Sequence, residues 1–446
     1  MSECGVDAGV LTGRLIPLQH ALAPGIGPEQ IPGVVRPGRA RKPNFLPNPD
    51  MKSSAFAVLL LGAALPLRAA DQIVVTVAND LDLARPAEVI AIPIQDVQRL
   101  LPGVMIDHYV VRDAAGAVLP CQVTNFKPEE HHDYYLDLLF QHDFAAGEKS
   151  AVFTITASPT PVPPFPSKVF ARHIPERFDD FAWENDRLAH RIYGPGLSTG
   201  VAGRDKMVSS GIDVWCKRVR YPIVDRWYLK GHCHEDSGEG LDMYNVGRSR
   251  GCGGTGVWTD GKLYVSGNWA AWKVLANGPI RAVFELTYAP WDAGNGVKVS
   301  EVKRFTVDAG HNLDQIESTF TIEGANEATV AIGLNKNSAD KGQEPRVTAT
   351  NDEADHALVQ WEAQKTNGAI GEAVVVAPAD FRGYAEDAAN RLILARAMSG
   401  QPLRYWAGAG WTKSGDFASE ADWQAYVAAS ARRAASPVRI SSIEGR

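Results

Sequence analysis

Residues 281–288 read RAVFELTY, a stretch in which apolar and polar side chains largely alternate. Ala282, Phe284 and Leu286 would lie on one face of a strand, because successive side chains of a strand point to opposite faces. The charged residues between them would point away from that face. This period of two predicts a β-strand with one buried side.

Short runs of strand-like sequence occur throughout the chain after residue 70. They are rich in branched and aromatic residues and end at turn sequences, which is typical of strands. The predicted strands are 73–77, 88–93, 108–111, 118–123, 134–140, 151–155, 256–258, 263–266, 280–288, 297–307, 313–322, 329–333, 346–350 and 373–376. Pro120 predicts an edge position for its strand, since proline cannot donate a hydrogen bond to a sheet. One helix is predicted, capped by Ser419 and covering residues 420–427.

A proline-rich segment separates the predicted strands into two groups. Residues 158–166 read SPTPVPPFP, with five prolines, and predict a stiff, extended linker. We expect a small β-sandwich over residues 71–157 and a large antiparallel sandwich over residues 167–440. The length of 446 residues agrees with two or three domains. The predicted fold class is therefore all-β.

The N-terminal part is interpreted as targeting sequence. Residues 51–70 read MKSSAFAVLLLGAALPLRAA, with one lysine, an apolar run too short to span a bilayer and small residues at the end. This order is that of a secretory signal peptide. We expect its removal, a mature chain without a membrane span, and a periplasmic or secreted location. Residues 1–50 lack periodicity and are interpreted as a doubtful or disordered extension.

The net charge argues against one class of binding partner, and the cysteines bear on disulfide bonding. The formal net charge is −7, and an acidic chain is a poor partner for nucleic acid, whose binding depends on neutralising phosphates. Four cysteines remain after the extension, namely Cys121, Cys216, Cys233 and Cys252. They would permit disulfides in an oxidising compartment, with three pairings, or be buried free thiols. The sequence leaves the oligomeric state open.

Several longer segments make the chain similar to known proteins. The stretch 278–317, which contains GPIR at 278–281 and KRFTV at 303–307, resembles the galactose-mutarotase-like supersandwich. Together, PERFDDFAWENDR at 175–187, GHCHEDSGEGLDMY at 231–244 and YWAGAGW at 405–411 resemble the secreted domain-of-unknown-function 4861 family. The resemblance covers nearly all of residues 73–440. It implies a supersandwich for the larger domain and a role with carbohydrates, because the family is met beside enzymes that dismantle uronic-acid polysaccharides. It implies no mechanism.

Residues 231–244 hold the densest set of reactive side chains. In an extended backbone, the period of two would place His232, His234 and Asp236 on one face. Two imidazoles and a carboxylate so placed suit proton transfer, or a divalent metal; the alternative is a solvated polar loop. The sequence requires no cofactor, and the metal remains an option. The further candidates for acid–base chemistry are Tyr244, Glu239 and Asp242.

Two more groups of residues are interpreted as substrate-binding. Aromatic and polar residues are interleaved over 177–187, which suits the faces and hydroxyl groups of sugars; the alternative is an interdomain seam. Basic residues are dense around the histidines, and an arginine can hold the planar carboxylate of a uronate with two hydrogen bonds. Surface ion pairs are the alternative for these. The candidates are Arg177, Asp180, Trp183, Glu184, Asn185, Arg226, Lys230, Arg248 and Trp406.

These candidates predict an exported carbohydrate-active protein whose partner is an acidic oligosaccharide. A uronate has an acidic proton on C5 and a leaving oxygen on C4. A histidine base, a histidine or tyrosine acid and a cation on the carboxylate would together give β-elimination, as in a lyase or a dehydratase. The alternatives are a non-catalytic glycan-binding module and a glycoside hydrolase that uses Glu239 and Asp242.

Overall fold

The alternating residues 281–288 are part of a strand of 12 residues, Arg281–Asp292, in which Phe284, Leu286 and Tyr288 are buried. The computed structural model describes residues 70–125, 135–199, 206–231 and 233–446. Strands dominate these residues and pair antiparallel into five sheets. The all-β prediction is therefore confirmed. The extension 1–50 and the signal peptide before residue 70 lie outside the described residues, and both stay predictions.

Two sheets near the N-terminal end form a small β-sandwich. Its strands are β1 (Gln72–Ala78), β2 (Arg85–Pro93), β3 (Tyr109–Arg112), β4 (Val118–Leu119), β5 (Cys121–Asn125), β6 (Tyr135–Phe144), β7 (Ser150–Ala157) and, from the C-terminal end, β26 (Arg439–Gly445). The sheets have the strand orders β26-β1-β7-β3-β4 and β2-β6-β5. Val75, Ile92 and Phe153 belong to the core between them. A C-terminal strand thus extends the sandwich that the sequence predicts for residues 71–157, and the domain boundaries stay predictions.

The remaining strands form one sheet of eight and two sheets of five. They are β8 (Phe170–Ile174), β9 (Asp180–Glu184), β10 (Leu188–Ile192), β11 (Asp213–Lys217), β12 (Gly240–Leu241), β13 (Cys252–Thr259), β14 (Lys262–Tyr264), β15 (Ala271–Ala276), β16 (Arg281–Asp292), β17 (Lys298–Asp308), β18 (Leu313–Glu323), β19 (Glu327–Asn335), β20 (Arg346–Asp352), β21 (Ala357–Gln364), β22 (Gly368–Val376), β23 (Phe381–Glu386), β24 (Asn390–Met398) and β25 (Pro402–Trp411). The eight-stranded order is β15-β16-β17-β18-β25-β22-β21-β20, and the five-stranded orders are β12-β11-β10-β9-β8 and β14-β13-β19-β24-β23.

One continuous apolar core joins these three sheets. The ring of Phe284 stacks on that of Phe305 with their centroids 4.6 Å apart, and Trp183 packs against both. Such aromatic pairs add to the free energy gained by burying their area. The core takes side chains from one face of the eight-stranded sheet and from both five-stranded sheets. A large antiparallel sandwich is therefore confirmed, and its likeness to galactose mutarotase stays a prediction.

Three α-helices accompany the described strands: α1 (Ile94–Leu100), α2 (Val224–Lys230) and α3 (Glu420–Ala435). The sequence predicts α3, and Ser419 caps it by accepting the backbone N–H of Asp422. Trp423 packs this helix against β21 and β22, on the face of the eight-stranded sheet that points away from the main core. The sequence does not predict α1 and α2, because each has only seven residues and so shows little helical periodicity.

Pro120 marks the point at which the chain changes sheets. The predicted single strand 118–123 is wrong in this respect, because β4 ends at the edge of one sheet and β5 begins at the edge of the other. The edge position predicted from the proline is confirmed. Gln122 then joins β5 to the large sandwich, since its side-chain oxygen accepts the N–H groups of Ile280 and Arg281.

Three cysteines of the described chain are free thiols, and two of these are buried. Cys121, Cys216 and Cys252 are free thiols, so no disulfide joins any two of the four cysteines considered above. Burial raises the pKa of Cys216 and of Cys252, which suits inert core thiols. Within the described ranges, no helix has the length and apolar character needed to cross a bilayer.

Candidate functional site

The connection between β11 and β12 carries most of the predicted catalytic residues. The two strands pair directly, with Cys216 opposite Leu241, so residues 218–239 form an excursion from the sheet. We call this excursion the 218–239 loop. It contains α2, whose Trp227 and Tyr228 pack on Trp215 at the outer face of the five-stranded sheet.

A layer of charged residues is buried beneath the 218–239 loop. The period of two directs side chains of β9, β10 and β11 to this covered face. The buried charged layer consists of Asp180, Glu184, Arg191, Asp213 and Lys217, with Arg177 and Asp242 from the flanking segments, all at most 1% exposed. Buried charges are costly unless they are paired, and these four carboxylates face three cations.

Glu184 anchors α2 to the sheet. Its carboxylate accepts a hydrogen bond from Lys217 Nζ at 2.6 Å, and it accepts the N–H groups of Ile223 and Val224 at 2.9 and 2.8 Å. Burial raises the pKa of Glu184, although Lys217 opposes this. The sequence predicts Glu184 as a substrate ligand, but its oxygens are engaged in holding the first turn of the helix.

Asp180 has a similar structural setting. Arg177 Nη1 lies 3.2 Å from its carboxylate, and the hydroxyl group of Tyr228 donates to it at 3.2 Å. Burial raises the pKa of Asp180, and the neighbouring guanidinium of Arg177 opposes the shift. Arg177 and Asp180 are thus brought together, but beneath the loop rather than at the surface.

Arg191 joins the two remaining carboxylates of the layer. Its Nε donates to Asp213 at 2.9 Å, and its Nη2 lies 3.3 Å from Asp242. Burial raises the pKa of Asp242, and the charge of Asp213 raises it further, while Arg191 opposes both. Asp242 therefore keeps its proton more readily than an ordinary aspartate.

His234 lies above Asp242 at the edge of the layer. Its Nδ1 is 2.9 Å from the backbone oxygen of Asp242 and 3.9 Å from the carboxylate of the same residue. A carbonyl oxygen can only accept, so Nδ1 carries the proton and the basic lone pair lies on Nε2. The side chain is 32% exposed.

Glu239 is held by a clamp of four donors. Lys230 Nζ lies 2.5 Å from one carboxylate oxygen and Arg226 Nε lies 2.8 Å from the other. The hydroxyl group of Tyr221 and the indole N–H of Trp227 donate as well. Burial would raise the pKa of Glu239, but the hydrogen bonds from Lys230, Tyr221 and Arg226 outweigh it and lower the pKa to about 2. We call this group the Glu239 clamp.

The extended backbone assumed for residues 232–236 is wrong. Gly231 adopts φ 73°, which ends α2, and the chain turns at residues 233 and 234. His232 lies outside the described residues. His234 contacts Asp242, whereas Asp236 pairs with Arg218, so these two predicted metal ligands have different partners.

A second set of potential metal ligands includes His234. Ligand atoms of Cys233, His234 and Asp242 lie within 4.8 Å of one another, but Cys233 is disulfide-bonded and so offers no thiolate. Asp242 already faces the guanidinium of Arg191, and a cation beside that positive charge is electrostatically disfavoured. The metal predicted from the sequence therefore stays a prediction.

The other predicted residues lie apart from His234. Trp183, Asn185 and Tyr244 are at most 3% exposed. Asn185 bridges backbone groups, and Trp183 and Tyr244 belong to the main core. Arg248 is exposed and has no ion-pair partner among the described residues. Trp406 lies on the outer face of the eight-stranded sheet.

Asp314 is a buried carboxyl that the sequence does not single out. It accepts the indole N–H of Trp183 at 2.8 Å and lies 3.7 Å from His190 Nε2. Burial raises the pKa of Asp314 to about 7, and burial lowers the pKa of His190 to about 4. Between these values Asp314 keeps its proton and His190 is neutral.

This setting predicts that Asp314→Asn removes a component of stability that falls with rising pH. From about pH 4 to pH 7 folded Asp314 holds a proton that the unfolded chain releases, so its contribution to stability falls as the pH rises. The lowered pKa of His190 acts in the opposite sense over the lower part of this range, and it is common to both proteins. Relative to wild type, the variant should gain about 2 kcal/mol in the free energy of unfolding between pH 5 and pH 8. Urea titrations at both pH values measure this. Asp82→Asn, with a side chain 86% exposed, is the control and should show no such change.

Sequence reasoning missed Arg191, Asp213 and Tyr221. Arg191 and Asp213 stand within or at the start of strands whose neighbours are apolar, and a charge at such a position indicates buried pairing. Tyr221 is 48% exposed and belongs to the Glu239 clamp. The polar, proline-containing start of the 218–239 loop gave no signal for it.

Comparison with solved structures finds distant likeness to two proteins from Enterococcus faecalis. One is an alpha-mannosidase of strain V583, at 10% identity and a TM-score of 0.43, covering 83% of this chain and 46% of that chain. The other belongs to glycosyl hydrolase family 38, at 10% identity and a TM-score of 0.40, covering 84% of this chain and 47% of that one. The chain spans less than half of either protein, and a likeness this distant does not transfer function.

Comparison of sequences gives a clearer relationship. Uncharacterized protein P7 of Formosa agariphila is 33% identical over 385 residues, which are 82% of this chain and 92% of P7. The family model named domain of unknown function DUF4861 matches residues 77–440. The resemblance inferred from the sequence is thereby confirmed, and the chain belongs to the DUF4861 family.

Proposed function

We propose that the protein is an exported enzyme that acts on uronic-acid-containing oligosaccharides by β-elimination, as a lyase or a dehydratase. The setting of His234 carries the proposal. Its Nδ1–H donates to the backbone oxygen of Asp242, which fixes the tautomer with the basic lone pair on Nε2. An imidazole held in this tautomer, with part of its ring exposed, is suited to act as a general base.

The proposed reaction needs one base, one acid and one positive patch. Nε2 of His234 takes the C5 proton of the uronate, and the electrons of that C–H bond form the C4=C5 double bond. The C4–O bond breaks, and the departing oxygen receives a proton from the acid. The imidazolium then returns its proton to solvent and the acid regains one from solvent, so both groups are restored and the reaction uses neither an oxidant nor a reductant.

The positive patch consists of Arg226 and Lys230 of the Glu239 clamp. Arg226 and Lys230 share one carboxylate, so the clamp keeps a net positive charge. Their side chains are 55% and 42% exposed, and Arg226 has further N–H groups beyond those on Glu239. A substrate carboxylate at this patch would lower the cost of the charge that develops at C5.

Tyr221 is the preferred acid in this proposal. The sequence favours Tyr244 or a second histidine, but the hydroxyl group of Tyr244 is buried in the core. Tyr221 is exposed within the 218–239 loop, and its hydrogen bond to Glu239 raises its pKa, so that it keeps its proton until the leaving oxygen requires it.

Hydrolysis is the second candidate, and the pKa values favour it. The pKa of Glu239 is lowered and that of Asp242 is raised. Glycosidases likewise use one carboxyl group that keeps its proton, as the acid, and one that is ionised. Against it, Asp242 is 1% exposed and both oxygens of Glu239 accept hydrogen bonds from the clamp. These contacts would have to break before either carboxyl could reach a glycosidic bond.

One experiment separates the proposal from its alternatives. The full chain is incubated with uronic-acid oligosaccharides while ultraviolet absorbance and reducing ends are recorded. β-Elimination by either route gives new absorbance from the alkene conjugated to the carboxylate. Hydrolysis gives reducing ends without absorbance, and a glycan-binding module gives binding without product; either result would refute the proposal. Export stays a proposal that N-terminal sequencing of the protein made with its own leader would test.

A further inference from the structure

A cleft lies on the outer face of the eight-stranded sheet, away from the 218–239 loop. It has a volume of about 280 Å³. Its floor is formed by β17, β18 and β25, one wall by α3 and the residues that follow it, and the other wall by β2 of the small sandwich. We call it the α3 cleft.

The floor of the α3 cleft presents side chains that suit a sugar. The strand register places Thr306 of β17 opposite Gln315 of β18, and Gln315 opposite Trp406 of β25. All three are partly exposed and line the cleft. The row thus offers a hydroxyl group, an amide and an indole ring, and an indole can pack on the C–H face of a sugar while the polar groups bind its hydroxyls.

Arg433 supplies a positive charge that no carboxylate neutralises. The residue is 8% exposed and lines the cleft from α3. Its Nη2 donates to Ser430 Oγ at 2.9 Å, and its guanidinium lies 5.8 Å from the ring centroid of Tyr426. Neither partner is charged, and the described residues provide no carboxylate within ion-pair distance of it.

The other charged groups of the cleft are already paired. Arg281 is held by both oxygens of Asp308, Arg404 by Glu317, and Glu88 by Arg85. Burial lowers the pKa of Arg85; Glu88 opposes this, and the positive charge of Arg433 adds to it. The buried guanidinium groups of Arg85 and Arg433 therefore repel each other, and Glu88 pairs with Arg85 but not with Arg433. An anion bound beside Arg433 would relieve this repulsion.

We infer that the α3 cleft is a second saccharide site, in which Arg433 holds the carboxylate of a uronate unit and Trp406 packs on its ring. The choice of a uronate rests on the proposed function, whereas the need for an anion rests on Arg433 alone. The site holds the glycan without taking part in its chemistry, because the cleft and His234 lie on the outer faces of different sheets.

Isothermal titration of a galacturonic-acid trisaccharide into the full chain tests the inference, with His234→Ala in every variant to prevent turnover. We expect two bound trisaccharides per chain. Arg433→Gln should weaken binding at one of them at least tenfold, since a charge-assisted, two-pronged hydrogen bond is lost. Arg433→Lys, which keeps the charge but not the fork, should lie between the two, and Trp406→Ala should weaken the same site.

The matched control is Arg432→Gln, which removes the same charge from the neighbouring position of α3. Arg432 is 60% exposed and pairs with Asp355, so its loss should change binding less than twofold. A galactose trisaccharide should bind the cleft more weakly and be insensitive to Arg433→Gln. Equal effects of Arg433→Gln and Arg432→Gln, or equal binding of the neutral sugar, would overturn the inference.

The two proposals fail in different ways. Binding that depends on Arg433, with no ultraviolet product from the wild-type protein, would retain the α3 cleft and remove the proposed enzyme. Product formation together with binding that is unchanged in Arg433→Gln would retain the proposed enzyme and remove the saccharide site in the α3 cleft.

Discussion

His234→Ala is expected to lower the rate of product formation by about 10²–10⁴-fold, because the general base of the proposed elimination is lost. The affinity for an uncleaved uronic-acid oligosaccharide should change little, since the positive patch and the α3 cleft remain. Steady-state ultraviolet absorbance and calorimetric titration measure the two quantities. A fall in turnover without a fall in affinity is the sign of a residue that acts in the transition state.

Two other histidines serve as comparisons for this variant. His173 is partly exposed, pairs with Asp179 at 3.1 Å and stacks on Trp272, outside the 218–239 loop. His173→Ala should keep nearly full activity. His232→Ala is the competing variant, because the sequence predicts either histidine as the base; loss of turnover in His232→Ala together with full activity in His234→Ala would contradict the assignment.

Arg191→Met is expected to lower the free energy of unfolding by about 3–5 kcal/mol, because it leaves two buried carboxylates without their shared cation. Arg191 is 1% exposed, and its Nη2 contacts both Asp213 and Asp242. Chemical denaturation at neutral pH measures the loss. The loss should be smaller at pH 5, where the raised pKa lets Asp242 take up a proton.

An exposed arginine provides the control for this effect. Arg396 is 44% exposed and lies 4.0 Å from Glu327, so Arg396→Met should cost less than about 1 kcal/mol. The double variant Arg191→Met/Asp213→Asn should recover part of the loss, since one of the two stranded charges is removed. Similar losses in the free energy of unfolding for Arg191→Met and Arg396→Met would mean that the buried ion pairs of Arg191 stabilise the protein no more than an exposed ion pair does.

The strands could be predicted because successive side chains of a strand point to opposite faces, so a strand with one buried face has an alternating sequence. Phe284 and Leu286 are buried at every second position, and the sequence pattern records this directly. Pro120 likewise predicts an edge from its missing N–H. Helix α2 could not be predicted, because its seven residues are stabilised by contacts with Glu184, 39 residues earlier in the chain, rather than by their own periodicity.

The site was predicted in composition but not in arrangement. Residues 231–244 do contain His234, Glu239 and Asp242. The chain turns where a strand was assumed, so His234 and Asp236 do not share a face. Asp236 contacts Arg218 instead, and His234 contacts Asp242. Burial decides the roles of Glu184 and Asp180, and the residue type alone does not reveal burial. A polar residue in a strand can face a ligand or a buried partner, and only the loop that covers it decides which.

The most direct test of the central claim is the mass of the product made in water labelled with oxygen-18. β-Elimination adds no water to the products, so the new end of a cleaved uronic-acid oligosaccharide should be lighter by one water than a hydrolysis product and carry no label. A dehydratase product should be lighter than its substrate by one water and likewise unlabelled. Products that carry oxygen-18 at the cleaved bond, at a rate unaffected by His234→Ala, would contradict β-elimination with His234 as the base.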